Sequence, residues 1–391
     1  MPMINRIAEF QDDMARWRRD IHAHPELGFE ENRTSDVVAR ELESFGLEVH
    51  RGLARTGVVG VLKGAPGEGA IGLRADMDAL PILEKNGFDH RSTNDGVMHA
   101  CGHDGHTAML LGAAKYLAET ENFSGTVYFI FQPAEEGMGG AREMVADGLF
   151  DKFPVNGIYG LHNWPGLEIG EFAVRPGPMM AACDCFEISV IGEGAHGAMP
   201  HLGIDPMVCA AEIVSGLQTI ASRVTDPLDS AVVSVTMFHA GDAFNVIPGR
   251  VELGGTARCF NESVRQEIEN GILRVSEGVA AAHRCRVEFN YMRQFPATVN
   301  HEAETELAAQ AAAQVAGEAK VRRDVPPSMG SEDFSYMLEA RPGSYIWMGN
   351  AGADLGCFLH NPNYDFNDEA LGWGASYWAT LVESLQPKEA D

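Results

Sequence analysis

Basic residues are scarce in this chain. Lysine and arginine number 29 against 56 aspartates and glutamates, a formal net charge of −27 at pH 7. Such a surface repels phosphate backbones and anionic lipid headgroups, which argues against nucleic-acid or membrane partners. An anionic substrate would therefore need a local basic pocket. No apolar run reaches membrane-span length, and the opening Met1-Pro2-Met3-Ile4-Asn5-Arg6 lacks the apolar core of a secretion signal. Seven cysteines in 391 residues is an odd count, which argues against a disulfide framework. These absences point to a reduced, cytoplasmic setting. Internal repeats and low-complexity tracts are absent as well.

What is present reads as an ordinary globular protein, 45% hydrophobic and 22% charged, long enough for two domains and a substantial core. Apolar strand-like runs alternate with helical patterns, which predicts an α/β sheet with helices on its faces. Helices are expected from about Ile4 to Ala23, before Pro25, and from Thr34 to Phe45, before Gly46. Strands are expected at Gly57–Leu62, Ile71–Arg74, Thr126–Phe131, Gly157–Leu161 and Ser344–Met348. From about Ala181 the pattern changes to strand Cys185–Ile191, helix Pro206–Arg223, strands Ala231–His239 and Arg250–Cys259, helix Ser263–Ala282 and strand Cys285–Tyr291. That βαββαβ order is the ferredoxin-like unit. It predicts an inserted domain over 181–294 between two parts of a first domain, 1–180 and 295–391, with hinges near Gly177-Pro178 and Phe295-Pro296.

The run Cys101-Gly102-His103-Asp104-Gly105-His106 opens an apolar helical stretch, Thr107 to Leu117. A thiol and an imidazole two residues apart at a helix start are a compact pair of metal-ligand candidates, and the helix N-terminus favours the thiolate. Further candidates lie downstream at Glu135-Glu136, His162 and His360. Asp76, Asp78, Glu135, Glu136 and His162 all fall just after expected strands, where α/β sheets place their ligand crevice. A metal-dependent hydrolase needs donors for one or two divalent ions and a carboxylate to take a proton from water. Adjacent Glu135 and Glu136 can divide those tasks, because successive side chains of an extended segment diverge. Two neighbouring glutamates are more often a solvated pair. Here an apolar strand feeds them and Gly137-Met138-Gly139-Gly140 follows. The pair Cys183-Asp184-Cys185 could hold a soft metal, but buried strand cysteines are commoner.

Several segments share one pattern: Ile21-His22-Ala23-His24-Pro25-Glu26-Leu27-Gly28, Arg74-Ala75-Asp76-Met77-Asp78-Ala79-Leu80-Pro81, His99-Ala100-Cys101-Gly102-His103-Asp104-Gly105-His106 and Gln132-Pro133-Ala134-Glu135-Glu136-Gly137. Gly160-Leu161-His162-Asn163, Gly194-Ala195-His196-Gly197 and Asn245-Val246-Ile247-Pro248 belong with them. In order and over essentially the whole chain, they resemble the hippurate hydrolase and indoleacetyl-amino-acid hydrolase branch of the aminoacylase/carboxypeptidase metallohydrolases.

The resemblance implies a zinc-peptidase-like catalytic domain with a mixed sheet, and an inserted lid that also dimerises. It implies two divalent ions bound by Cys101, His103, Glu136, His162 and His360, with Cys101 bridging, Glu135 as general base and then acid, and Asp76 orienting a ligand. Unaided, only Phe358-Leu359 and Asn361-Pro362 single out His360. The resemblance leans to manganese, with zinc, cobalt or nickel as alternatives. It makes His196 a substrate contact reaching across a homodimer, and Asn245 and Arg258 holders of the substrate carboxylate, a role suited to a planar guanidinium. For Arg258 an exposed edge-strand arginine is the alternative.

The implied reaction is hydrolysis of an N-acyl or N-aroyl amino acid. N-acetyl-diaminopimelate deacetylase, carbamoyl-amino-acid hydrolase and dipeptidase are alternatives within the class. A thiol redox or metal-storage protein is the alternative outside it, and it has no use for a general base.

Overall fold

Apolar runs that alternate with helical stretches need two surfaces to bury, and the computed structural model, which describes residues 3–351 and 358–388, supplies them in two compact units. Strands are numbered in chain order: β1 (Glu48–Leu53), β2 (Gly57–Lys63), β3 (Ala65–Asp76), β4 (Ser124–Gln132), β5 (Gly157–Trp164), β6 (Phe172–Ala173), β7 (Ala182–Ile191), β8 (Ala231–His239), β9 (Arg250–Cys259), β10 (Arg286–Phe295), β11 (Val321–Arg322) and β12 (Gly343–Gly349).

Unit 1 comprises the chain up to Met179, Val299–Pro326, and the chain from Asp333 onward. Its sheet is mixed, in the order β1-β2-β4-β3-β5-β12-β6-β11. The centre is parallel: β3 runs with β4 and β5, and β5 with β12. The antiparallel β1 and β2 extend one side. Val127, Phe129 and Phe131 of β4 join one core cluster, and the intervening Ile130 is equally buried though outside it. Because successive strand residues point to opposite faces, both faces of the sheet are covered. The helix His103–Thr120 is buried along nearly its whole length and packs against β3 and the helices Gln11–Ala23 and Leu371–Leu385. A helix apolar all round belongs in an interior, and this one carries the candidate ligands at its start.

Three expectations need correcting. The first helix is not continuous from Ile4: it runs Asn5–Ala8 and, after a break at Phe10, Gln11–Ala23. No proline or glycine lies between, so nothing local marked the break. β5 extends to Trp164, so His162 stands within a strand rather than after it. The helix after Cys101 begins four residues earlier than Thr107, at His103.

Unit 2 comprises Met180–Thr298 and Pro327–Glu332. Its antiparallel sheet has the order β8-β9-β7-β10. The helix Pro206–Thr219 starts on Asp205, whose side chain accepts from Met207 N at 2.8 Å, with proline in the first turn. It loosens into a π turn over Ile220–Val224 instead of continuing to Arg223. Together with Glu262–Ala282 it covers one sheet face, where Phe186, Ile188 and Val190 meet Ile213, Leu217, Ile268 and Ile272. The other face presents Glu187, Ser189 and Glu288. Among the described residues, no helix is long and apolar enough to cross a membrane.

Candidate metal centre

Parallel pairing fixes where the polar side chains emerge. Asp76 pairs with Gln132 at the carboxyl ends of β3 and β4, so the segments 76–78 and 133–136 leave the sheet side by side. Between Cys101 and the helix, Gly102 has φ +90°, and a Cβ there would lie 2.3 Å from Asn163 Nδ2. Only glycine makes that turn at that distance.

Two histidines are fixed so that one nitrogen is left over. His103 directs Nδ1 at Asp78, 2.9 Å from its carbonyl oxygen and 3.2 Å from Oδ1. Its Nε2 is buried and makes no hydrogen bond; it lies 3.8 Å from Asp76 Oδ2 and 4.0 Å from Glu135 Oε2. His162 donates Nδ1–H to Asn163 O at 2.6 Å, which leaves Nε2 as the lone-pair nitrogen, 3.4 Å from Cys101 Sγ. An outer acceptor that selects the tautomer is how proteins prepare an imidazole for a cation. His106 is spent differently. Its Nδ1 donates to Asp76 Oδ1 at 2.6 Å and its Nε2 accepts from Asn163 N at 2.9 Å. Its bonds commit both nitrogens.

The remaining donors close around these. Cys101, Glu136 and His360 each offer one atom, all within 4.8 Å of one another, and so do His103, Glu135 and Glu136. Glu136 is common to the two groups. His360 Nε2 is 3.2 Å from Glu136 Oε1, and its backbone N donates to Ala100 O at 2.7 Å, which ties it beside Cys101. His360 is half exposed whereas Glu135 is buried, so the group opens to solvent on the His360 side.

The electrostatics ask for a positive charge. Burial alone would lower the His103 pKa, yet Asp76, Asp78 and Glu136 raise it to about 10. His162 moves the other way: burial, then His106, push it well below its usual range, so it is neutral. Burial and the carboxylates of Glu136, Glu135 and Asp76 push the Cys101 thiol well above its usual range. The helix N-terminus favours the thiolate, but without a cation desolvation and nearby negative charge outweigh that partial dipole charge. A thiolate here requires an adjacent cation. A buried imidazole nitrogen without a partner, a neutral imidazole facing a thiol, and crowded carboxylates fit a divalent ion.

Asp76 holds less of this arrangement, and Asp78 more, than the sequence indicates. Both Asp76 oxygens are engaged, Oδ2 with Arg74 at 2.6 Å and Oδ1 with His106. The carboxylate that orients His103 is Asp78, whose Oδ2 also accepts from Glu136 N at 2.9 Å. Its signal was its place two residues after Asp76, on the same side of the extended segment. Glu31, which the sequence reading did not single out, accepts from Ala134 N at 2.8 Å; its Glu30-Glu31-Asn32 setting reads as solvated surface.

The other sequence candidates lie in unit 2. His196 sits in a two-residue strand paired with Val246-Ile247, next to Asn245, whose carbonyl accepts from Gly197 N at 2.7 Å. Arg258, in β9 opposite Cys183, donates to Ser331 Oγ at 3.1 Å. Asp184, between the two strand cysteines, is taken by Arg265 and Tyr291. Cys183 and Cys185 join no metal-holding group among the described residues.

Converging nitrogen, sulfur and carboxylate donors beside a further buried carboxylate are the working parts of a metal-dependent amidohydrolase, and this chain is one. It belongs to the peptidase family M20/M25/M40, whose pattern matches residues 72–384. The hippurate hydrolase of Campylobacter jejuni is 42% identical over 382 residues, 98% of this chain and 99% of that protein. An N-acyl-L-amino acid amidohydrolase of Geobacillus stearothermophilus is 46% identical over 76% of this chain and 80% of its own length. Among solved structures, a dinuclear metal binding M20 peptidase of Bacillus subtilis superposes with a TM-score of 0.84 at 37% identity, covering 97% of this chain and 99% of that one.

Proposed function

We propose that the chain hydrolyses the amide bond of N-acyl or N-aroyl amino acids of the hippurate type, releasing a carboxylic acid and a free amino acid, with two divalent cations bound. The observation that carries this reading is the buried Glu135 carboxylate beside the unpartnered Nε2 of His103, at the edge of the Cys101, Glu136 and His360 donors. The names of the Campylobacter and Geobacillus relatives support the substrate class, and the Bacillus structure supports the metal count. Cys101, His103, Glu136, His162 and His360 would hold the ions. When bound, they would polarise the amide carbonyl and acidify a water. Manganese is the proposed metal, with zinc, cobalt and nickel as alternatives for a mixed sulfur, nitrogen and oxygen set.

The chain's own residues do the rest. Asp78 keeps His103 in one tautomer, and the Asn163 carbonyl does the same for His162. Glu135 takes the proton of the attacking water and returns it to the departing amine. Asp76, held by Arg74 and His106, supplies fixed negative charge beside His103. In the same reading the insert over 181–294, which falls within unit 2, is a ferredoxin-like lid and dimerisation domain of a cytoplasmic homodimer. Its strand order, fourth-first-third-second within βαββαβ, supports the first part. His196, Asn245 and Arg258 would contact the substrate and give its carboxylate the positive partner that a chain of net charge −27 otherwise denies it.

The test is Glu135→Gln, assayed for amine release from a panel of N-acyl amino acids. Turnover should fall by ~10²–10⁴ through loss of general base catalysis, with metal content unchanged by elemental analysis. Wild-type turnover defeats the assignment, and lost metal makes Glu135 a ligand instead.

A further inference from the structure

Glu31 lies far from Glu135 in sequence, at the start of the helix Asn32–Ser44, and is fully buried. One carboxylate oxygen accepts from Thr56 Oγ1 at 2.6 Å and the other from Ala134 N at 2.8 Å. Ala134 precedes the two glutamates and has φ +53°, a left-handed conformation that a residue with a Cβ rarely adopts. The bond from Glu31 is made at the one non-glycine residue of that loop with a positive φ. Farther along, Gly140 N donates to Ala134 O at 2.9 Å, and a Cβ on Gly140 would fall 1.7 Å from Pro133 O. Gly137 N donates to Glu135 O at 2.7 Å. Within unit 1 the loop is also held from outside, at Glu136 N by Asp78 and at Ala134 N by Glu31.

We propose that Glu31 is a positioning residue for amide hydrolysis: it holds Ala134 in the left-handed turn that directs Glu135 and Glu136 apart, one to the water and one to the metal. The inference rests on the reading of Glu135 as proton acceptor. Strained conformations persist only where the surroundings over-determine them, and they collect at working sites. Without the acceptor, the Ala134 N–H is left buried and unpaired, and the residue relaxes toward an ordinary right-handed or extended conformation. That rotation would swing Glu135, while Asp78 still holds Glu136 by its backbone N–H, and displacements of about 1 Å cost on the order of 10²-fold in rate.

Glu31→Ala should lower kcat about 10- to 100-fold while KM and bound metal stay near wild type. Glu31→Gln keeps an oxygen that can accept from Ala134 N, and should recover most of the loss. Ala134→Gly in the Glu31→Ala background should also recover part of kcat, because glycine adopts the turn without help. Hydrogen–deuterium exchange of the segment 131–140 should rise in Glu31→Ala and fall back in Glu31→Gln, a readout independent of turnover. Unchanged kcat in Glu31→Ala, with Glu135→Gln inactive, overturns the inference and leaves the proposed function standing. Loss of activity that tracks only loss of thermal stability, unrelieved by Ala134→Gly, overturns it as well. Retained activity in Glu135→Gln overturns both.

Discussion

The two units bury charge in different ways. Unit 1 keeps an extended ionic interior around the start of the His103–Thr120 helix. Arg74 bonds Asp76, Gln132 and Asp333. Arg18 lies between Asp365, Asp368 and Asp104, while His22 bridges Asp104 and Glu84. The interior of unit 2 is an apolar layer between helices and sheet, with one buried ion pair, Asp184 with Arg265, among the described residues of its core. Buried ions are expensive unless fully partnered, so a fold does not collect them for stability. Their concentration in unit 1 marks where a fixed electrostatic field is needed, and their rarity in unit 2 marks a module built by packing. Unit 1 also leaves buried polar atoms without a hydrogen-bond partner, His103 Nε2 and both ring nitrogens of His99 among them, so the two interiors differ in what the polar groups are for.

The comparison breaks most visibly at the metal centre. Cys101→Ser should weaken metal retention by ~10²-fold or more, exceeding the 10–100-fold that loss of an outer partner costs, because a serine hydroxyl does not ionise beside a cation as a thiol does. Elemental analysis after dialysis measures it, and an unchanged metal count would remove Cys101 from the ligand set. The matching cut in unit 2 is Arg265→Met. It strands the Asp184 carboxylate in an apolar interior at a cost of about 3 kcal/mol. Calorimetry should show a lower melting temperature with metal content intact; a loss of metal instead would mean that the two interiors are not separable.

A smaller effect sharpens the same contrast through pH. Burial alone would lower the His22 pKa, but its bonds to Asp104 and Glu84 raise it to about 9 from 6.5. The stabilisation is complete below pH 6.5 and is lost as pH rises through 9, an amount on the order of 2–3 kcal/mol. Between pH 6 and 10 the wild type should therefore lose more stability than His22→Gln, as read by denaturant midpoints at each pH. Parallel curves for the two proteins would show that His22 does not couple protons to folding.

How much of this was legible in the chain follows the same division. Strands read well, because apolar runs between turn residues have few other uses, and the expected Ala231–His239 and Arg250–Cys259 carry the bounds found. Cys101 and His103 stood out in the sequence as a thiol and an imidazole at a helix start, and the glutamate pair as polar residues between an apolar strand and a glycine-rich run. What could not be read is which atom each side chain spends. His103 and His106 look alike in the sequence, and only the tertiary placement of Asp78, Asp76 and Asn163 leaves one with a free nitrogen and the other with none. Glu31 was invisible for the same reason, since its partner is a backbone N–H about a hundred residues away.

The order in which the chain is made gives the discontinuity of unit 1 a further meaning. Every strand of the four-stranded sheet lies between Ala182 and Phe295, whereas β12, an inner strand of the large sheet, is residues 343–349. On the ribosome the strands of unit 2 are therefore all available while β5 still exposes an unpaired edge, the kind of edge that invites association with other chains. Long-range strand pairing is also the slow part of folding. Of the donors that converge on Cys101, His360 emerges last, so the set can be completed only once the chain has been synthesised past that residue.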